Sequence, residues 1–104
     1  METLIQEFSD YLRIEKRNSP HTISAYRCDL IRFSTGLSGK KLDSVTTANI
    51  RSFLISLKSQ GMSASSVARS LSSIKSFFKY LCQDKQLKNN PAIILETPKR
   101  WRKL

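Results

Sequence analysis

The sequence predicts an all-α fold, a bundle of four helices followed by a short fifth. Three observations carry this. Apolar residues recur at helical spacing in four separate stretches, which places them on one face at about 100° per residue. Capping and proline signals open these stretches, and Gly, Asn or Pro close them. Strand-like alternation occurs nowhere, and no internal repeat recurs at a fixed period.

The first helix is expected near 2–16, with Leu4 or Ile5, Phe8, Tyr11 and Leu12 on its apolar face. Its other face carries Glu2, Glu7, Asp10 and Glu15, a poor surface to set against phosphate. Asn18-Ser19-Pro20 breaks it. Ser19 is an N-cap and Pro20 a first helical residue, where the missing N–H is harmless. The second helix, near 20–35, continues with the seam Ile23, Tyr26, Leu30, Phe33 and Leu37. Opposite that seam lie His21, Ser24, Ala25, Cys28, Arg32 and Thr35, with Asp29 displaced toward the flank.

Residues 36–43, with Gly36, Gly39, Lys40 and Lys41, read as a loop. Thr46 or Thr47 caps a third helix near 47–59 that carries Ile50, Phe53, Leu54 and Leu57 and ends at Gly61. Ser63 caps the fourth, near 64–83, whose stripe is Val67, Leu71, Ile74, Phe78 and Leu81. Asn90-Pro91 opens the short last helix, near 91–95, and Pro98 stops it. The residues expected to be buried are Tyr26, Leu30, Phe33, Phe53, Leu57, Leu71, Ile74, Phe78 and Leu81. The tail Lys99-Arg100-Trp101-Arg102-Lys103 has no core period and reads as a linker or arm.

The fourth helix is unusual on its outer side. Ser65, Arg69, Ser72, Ser73, Ser76 and Lys79 collect there, with Tyr80 at the edge. Serine is a mediocre helix former, and a solvated face ordinarily carries Glu, Lys, Gln and Ala. Small hydroxyls let a backbone approach closely and bond phosphate oxygens or base edges, while Arg and Lys supply charge. Against a serine-rich surface with no partner stands the recurrence of the same chemistry on the second helix.

Composition points the same way. Eighteen Lys+Arg against eight Asp+Glu give the 104-residue chain a net charge of +10. A pI near 10.1 places nucleic acid ahead of a membrane surface as partner. No run approaches about 18 apolar residues, so no membrane span is expected. The acids at Glu2 and Glu7 argue against a signal peptide. Cys28 and Cys82 read as reduced thiols in a cytosol. His21 has no partner at metal-ligand spacing, and no nucleophile elbow, phosphate loop or paired carboxylates occur. No cofactor and no active site are expected.

Three segments together resemble a known family. S-P-H-T-I-S-A-Y-R-C-D-L-I-R-F (Ser19 to Phe33) is similar to the S-x-x-T-x-x-x-Y-x-x-D-L-x-x-F segment of tyrosine recombinases of the phage-integrase/XerC–XerD type. G-M-S-A-S-S-V-A-R-S-L-S-S-I-K-S-F-F-K-Y-L (Gly61 to Leu81) resembles their serine-rich fourth-helix segment, and N-N-P-A-I-I-L-E-T-P-K (Asn89 to Lys99) the segment that closes their core-binding domain. Lys75 stands where that family often has Arg, Phe78 where it often has Tyr, and Cys28 where it commonly has a basic residue.

The resemblance implies a four-helix SAM-like bundle, the lambda-integrase-like N-terminal domain, forming half of a clamp around duplex DNA. Its second and fourth helices would face the major groove. It further implies a core-binding domain over 1–96 and a basic linker over 97–104 toward a catalytic domain. No position matches the family's catalytic residues, so Tyr11, Tyr26 and Tyr80 are not nucleophile candidates and this stretch is not itself expected to be an enzyme. The expected partners are duplex DNA at a recombination half-site and other recombinase protomers in a synaptic tetramer. The expected compartment is the cytoplasm, at the nucleoid. The candidate DNA surface comprises Ser24, Cys28, Arg32, Ser65, Arg69, Ser72, Ser76 and Lys79, flanked by Arg27 and Lys75, with Lys99, Arg100 and Arg102 reaching phosphates from the tail. The competing readings are a helical transcription regulator and a protein-interaction module.

Overall fold

The structure, a computed structural model, describes residues 1–85 and 87–98. Among them the chain forms α1 (Glu2–Ile14), α2 (Pro20–Gly36), α3 (Thr47–Ser59) and α4 (Ala64–Asp84), and no strand. A 3₁₀ turn at Leu42–Ser44 interrupts the stretch between α2 and α3 that reads as loop and its sequel in the sequence. No helix of the described residues is long and apolar enough to cross a membrane.

The helix starts follow from their capping residues. Ser19 Oγ accepts the Thr22 N–H at 3.2 Å, and Ser63 Oγ accepts the Ser66 N–H at 3.2 Å. At α3 the cap is Thr46: its hydroxyl accepts from the Asn49 N–H at 3.1 Å, while Asn49 Oδ1 accepts from the Thr46 N–H at 2.9 Å. This reciprocal pair satisfies two N–H groups that the first turn leaves without partners. The α3–α4 corner turns on Gly61 at φ +92. There the Met62 N–H bonds the Leu57 carbonyl at 3.2 Å and the Gly61 N–H bonds the Lys58 carbonyl at 3.1 Å. That 6→1 and 5→2 pattern needs a left-handed residue at this position, which glycine adopts without a Cβ penalty.

α4 packs against all three other helices and supplies the middle of the core. Its central place explains two departures from the narrow stripe expected for it. Phe77 is fully buried, and Tyr80, expected at the edge of the outer face, is also buried. A helix surrounded on three sides buries a wider arc than one lying on a surface. Conversely, Tyr26 and Phe53 are half-buried rather than buried, while the other seven residues expected in the core are all there. Phe53 lies against Gly36, where a Cβ would meet its ring at 3.1 Å, so a side chain there would require the ring to give by a few tenths of an ångström.

The expected fifth helix is a turn instead. Asn90 Oδ1 accepts from the Ala92 N–H at 3.0 Å and the Ala92 carbonyl from the Leu95 N–H at 3.2 Å. An Asx side chain bonding the backbone two residues on competes with helix formation. Only Ala92 and Leu95 of this segment are buried, so packing gives little reason to extend it. Two hydrogen bonds hold it in place. Thr47 Oγ1 donates to the Pro91 carbonyl at 2.6 Å, and Lys75 Nζ donates to the Leu95 carbonyl at 2.9 Å.

Candidate nucleic-acid interface

The helical register puts Ser24, Cys28 and Arg32 on one side of α2 and Ser65, Arg69, Ser72, Ser76 and Lys79 on one side of α4. All are exposed except Ser76, which is half-buried. Ser76 and Lys79 line a cleft of about 330 Å³ with Tyr11 and Lys16 of the α1 end and Tyr26 of α2. Lys16 Nζ stands 5.9 Å from the centre of the Tyr11 ring in that cleft.

Between the two stripes lies a feature that governs several of these residues. Asp29 of α2 is fully buried, in a chain with few acids. Its Oδ2 accepts from Arg69 Nε at 3.0 Å and Ser73 Oγ at 2.9 Å, and its Oδ1 from Arg69 Nη2 at 3.0 Å and Ser70 Oγ at 3.3 Å. Arg32, one turn along α2, brings Nη1 to 3.7 Å of Oδ1. The hydrogen bond to Asp29, and then the charge of that carboxylate, raise the Arg69 pKa above its ordinary value.

A buried carboxylate is tolerable only when paired and hydrogen-bonded, and this one is met by both kinds of partner. Serines explain why the site can form at all. At positions 70 and 73 a larger side chain would occupy the space that the carboxylate enters, whereas a hydroxyl leaves room and donates. Ser73 therefore does not belong to the outer face expected for it; it is buried and turned toward α2. Its single proton is shared with the Arg69 carbonyl, 3.0 Å away.

The remaining candidates divide. Arg27 is exposed and donates to Gln6 Oε1, joining α2 to α1. Lys75 is half-buried and committed to the Leu95 carbonyl, which takes its ammonium away from the stripe. Lys79 is exposed and Cys28 is an exposed free thiol. Lys99, Arg100 and Arg102 lie outside the described residues. The structure thus brings the two stripes together across Asp29, with Arg69 and Arg32 converging on it.

The buried placement of Asp29, Ser70 and Ser73 is what pattern reading misses. The signal was present: between Glu15 and Asp84 the chain holds only two acids, and Asp29 is the one that adjoins an apolar seam residue, Leu30.

Residues 5–85 match the family described as phage integrase, N-terminal SAM-like domain. The chain is 37% identical over 100 residues to the tyrosine recombinase XerC of Alcanivorax borkumensis, covering 96% of this chain and 33% of that protein. It is 38% identical over 107 residues to the tyrosine recombinase XerD of Staphylococcus haemolyticus, covering 100% of this chain and 36% of that one. With XerD of Proteus mirabilis it shares 38% over 105 residues, 99% of this chain and 34% of the relative. The chain therefore spans about a third of the length of the curated relatives it matches. No solved structure matches it significantly. The aspartate and arginine that meet across α2 and α4 fall within the matched residues, and the all-helical order is that of such a domain: this chain belongs to the phage integrase N-terminal SAM-like domain family.

Proposed function

We propose that this chain is the DNA-binding domain of a site-specific tyrosine recombinase, and that it holds duplex DNA at a recombination half-site. One observation supports the reading above the rest. The facing stripes of α2 and α4 carry hydroxyls and cations, and the one acid between them, Asp29, is withdrawn from solvent and bound to Arg69. Hydroxyls there bond phosphate oxygens or base edges and cations neutralise phosphates. Ser24, Ser65, Ser72 and Ser76 are the proposed hydrogen-bonding residues, with Arg32, Arg69 and Lys79 as cations. Arg27 is proposed for the flank, and Lys99, Arg100 and Arg102 for phosphates beyond it. Lys75, tied to Leu95, is the weakest member of that set.

In this reading residues 1–96 bind, residues 97–104 link, and strand cleavage and rejoining are performed by a separate catalytic domain. The other protomers of a synaptic recombinase tetramer are its protein partners. The chain alone is then expected to form no covalent adduct with supercoiled DNA, and an adduct through Tyr11, Tyr26 or Tyr80 would overturn that assignment.

The test of binding is a salt titration against a labelled mixed-sequence duplex. Neutralising about four to five phosphates gives a slope of log K against log[salt] near −4, a loss of about 10²–10³ in affinity between about 50 and 200 mM salt. Lys79→Ala is expected to weaken binding and to reduce the slope by about 1. Lys58→Ala, on α3 and away from both stripes, is the control. If Lys79→Ala behaves as Lys58→Ala does, the stripe is ordinary surface; if the duplex is not bound at low salt, a protein-interaction module is the better reading.

A further inference from the structure

We propose that Asp29 is a positioning residue for the DNA face: it holds the Arg69 guanidinium at the α2–α4 seam so that the group's free edge is preset toward a phosphate or base edge of the duplex. The inference rests on the DNA-binding reading and deepens it.

A guanidinium has five N–H donors in a rigid plane. Asp29 takes the Nε–H and one N–H of Nη2, each at 3.0 Å, through its two carboxylate oxygens. Both protons of Nη1 and one of Nη2 are left. With two parallel bonds the plane of the group is fixed, not merely its location. The Arg69 side chain is nevertheless 46% exposed, while that of Asp29 is 0% exposed. The pair is thus buried on its anionic side and open on its cationic side.

The rest of the seam reinforces this asymmetry. Ser70 and Ser73 bond the carboxylate from within α4, so Asp29 is anchored independently of Arg69. Arg32 approaches the same carboxylate at 3.7 Å and is itself 45% exposed. Two cations from two helices are therefore drawn to one buried anion at the junction of the stripes. A long arginine free in solvent loses rotamer freedom when it binds, and one already fixed loses less. Asp29 lowers that loss without touching DNA.

A merely structural role and a positioning role predict opposite signs for one variant. Asp29→Asn has almost the same shape and raises the net charge by one. By charge alone it should bind the duplex more tightly. In place of one carboxylate oxygen it offers an N–H₂ group to a donor of Arg69, so the fork is broken and the guanidinium released. We therefore expect Asp29→Asn to bind the mixed-sequence duplex about five- to tenfold more weakly in spite of the added charge, as suits loss of one oriented charge-assisted bond. Arg69→Lys, which keeps the charge and loses the fork, should weaken binding by a similar factor, and the double variant by no more than either alone. Folding is monitored by circular dichroism at the assay temperature.

Tighter or unchanged binding by a folded Asp29→Asn overturns the proposal. Should that variant not fold, Arg69→Lys decides: wild-type affinity overturns the proposal, and weakened binding supports it. Absence of duplex binding by the unmodified chain, or indifference to Lys79→Ala, overturns the DNA-binding reading and this inference with it. Normal behaviour of both with neutral Asp29→Asn overturns the inference alone.

Discussion

α4 is held on two sides by contacts of different character. Against α1 the contact is aromatic: Phe8 packs on Phe77 with ring centroids 5.5 Å apart and on Tyr80 at 5.4 Å, and Tyr11 meets Tyr80 at 4.8 Å. Against α2 the apolar packing, with Phe33 on Phe78 at a ring-centroid distance of 6.3 Å, is joined by a buried carboxylate with four hydrogen bonds. Aromatic packing stabilises by removing area from water and tolerates small shifts. The Asp29 site stabilises little beyond its own desolvation, yet it has one acceptable geometry. Both seams contribute apolar packing, and the second in addition fixes how two helices present their outer faces.

This division is open to direct attack. The largest effect is expected from Phe77→Ala, which removes a fully buried ring at the centre of the aromatic seam. A loss of about 3–5 kcal/mol in urea denaturation is expected, with no change in the salt slope of DNA binding where the variant is still folded. A changed slope would mean that the two seams are not separable. Arg69→Ala comes next. It strips the bidentate partner from a buried carboxylate, but the arginine is itself half-exposed, so about 2–3 kcal/mol is expected. Unlike Phe77→Ala it should also weaken duplex binding. Equal stability to the unmodified chain would show that the two serines alone satisfy Asp29.

Smaller effects sharpen the boundary. Thr46→Ala removes half of the α3 capping box, worth about 1 kcal/mol, and should leave DNA binding untouched. The smallest belongs to Tyr80, whose pKa burial raises above its ordinary 10.0. The folded state then keeps the phenol proton to higher pH than the unfolded state does. Its contribution is complete below pH 10 and is lost as pH rises through the folded value. Stability of the unmodified chain should fall faster on the alkaline side than that of Tyr80→Phe. Identical pH profiles would show that Tyr80 is wetter than its place in the aromatic seam implies.

The helices were readable because each carries its own signal. Ser19-Pro20, Thr46 and Ser63 act on the residues directly following them, and Gly61 is needed for the corner it occupies. The apolar seams repeat often enough that one ambiguous position does not matter. What escaped reading depends on a residue far away in the chain. Asp29 looks like a solvated flank until Arg69, Ser70 and Ser73, some forty positions later, are brought beside it. Tyr80 and Phe77 are core only because α1 covers that side of α4. The failed fifth helix is a local contest of the opposite kind: Asn90 bonds its own neighbour and wins against a weak apolar pattern. Of the proposed DNA face, the positions on α2 and α4 are legible as a stripe. Which of its cations are already committed is not, since Lys75 is taken by a carbonyl twenty residues away.

The turn at 91–95 gives the bundle a mechanical property. It is hooked to the first turn of α3 by Thr47 and to the middle of α4 by Lys75, with Leu95 and Ala92 seated in the core. A pull on the chain beyond Leu95 is therefore not applied to the C-terminal end of α4, where it would peel the helix one turn at a time. It enters sideways, through two latches on two helices, and shears them together. The bundle should yield to force applied at residue 98 in a single event, and Thr47→Val with Lys75→Met should convert that event into gradual unravelling from Asp84 in an optical trap. Whatever tension reaches this end of the domain is carried by the helix that also bears the Asp29 seam.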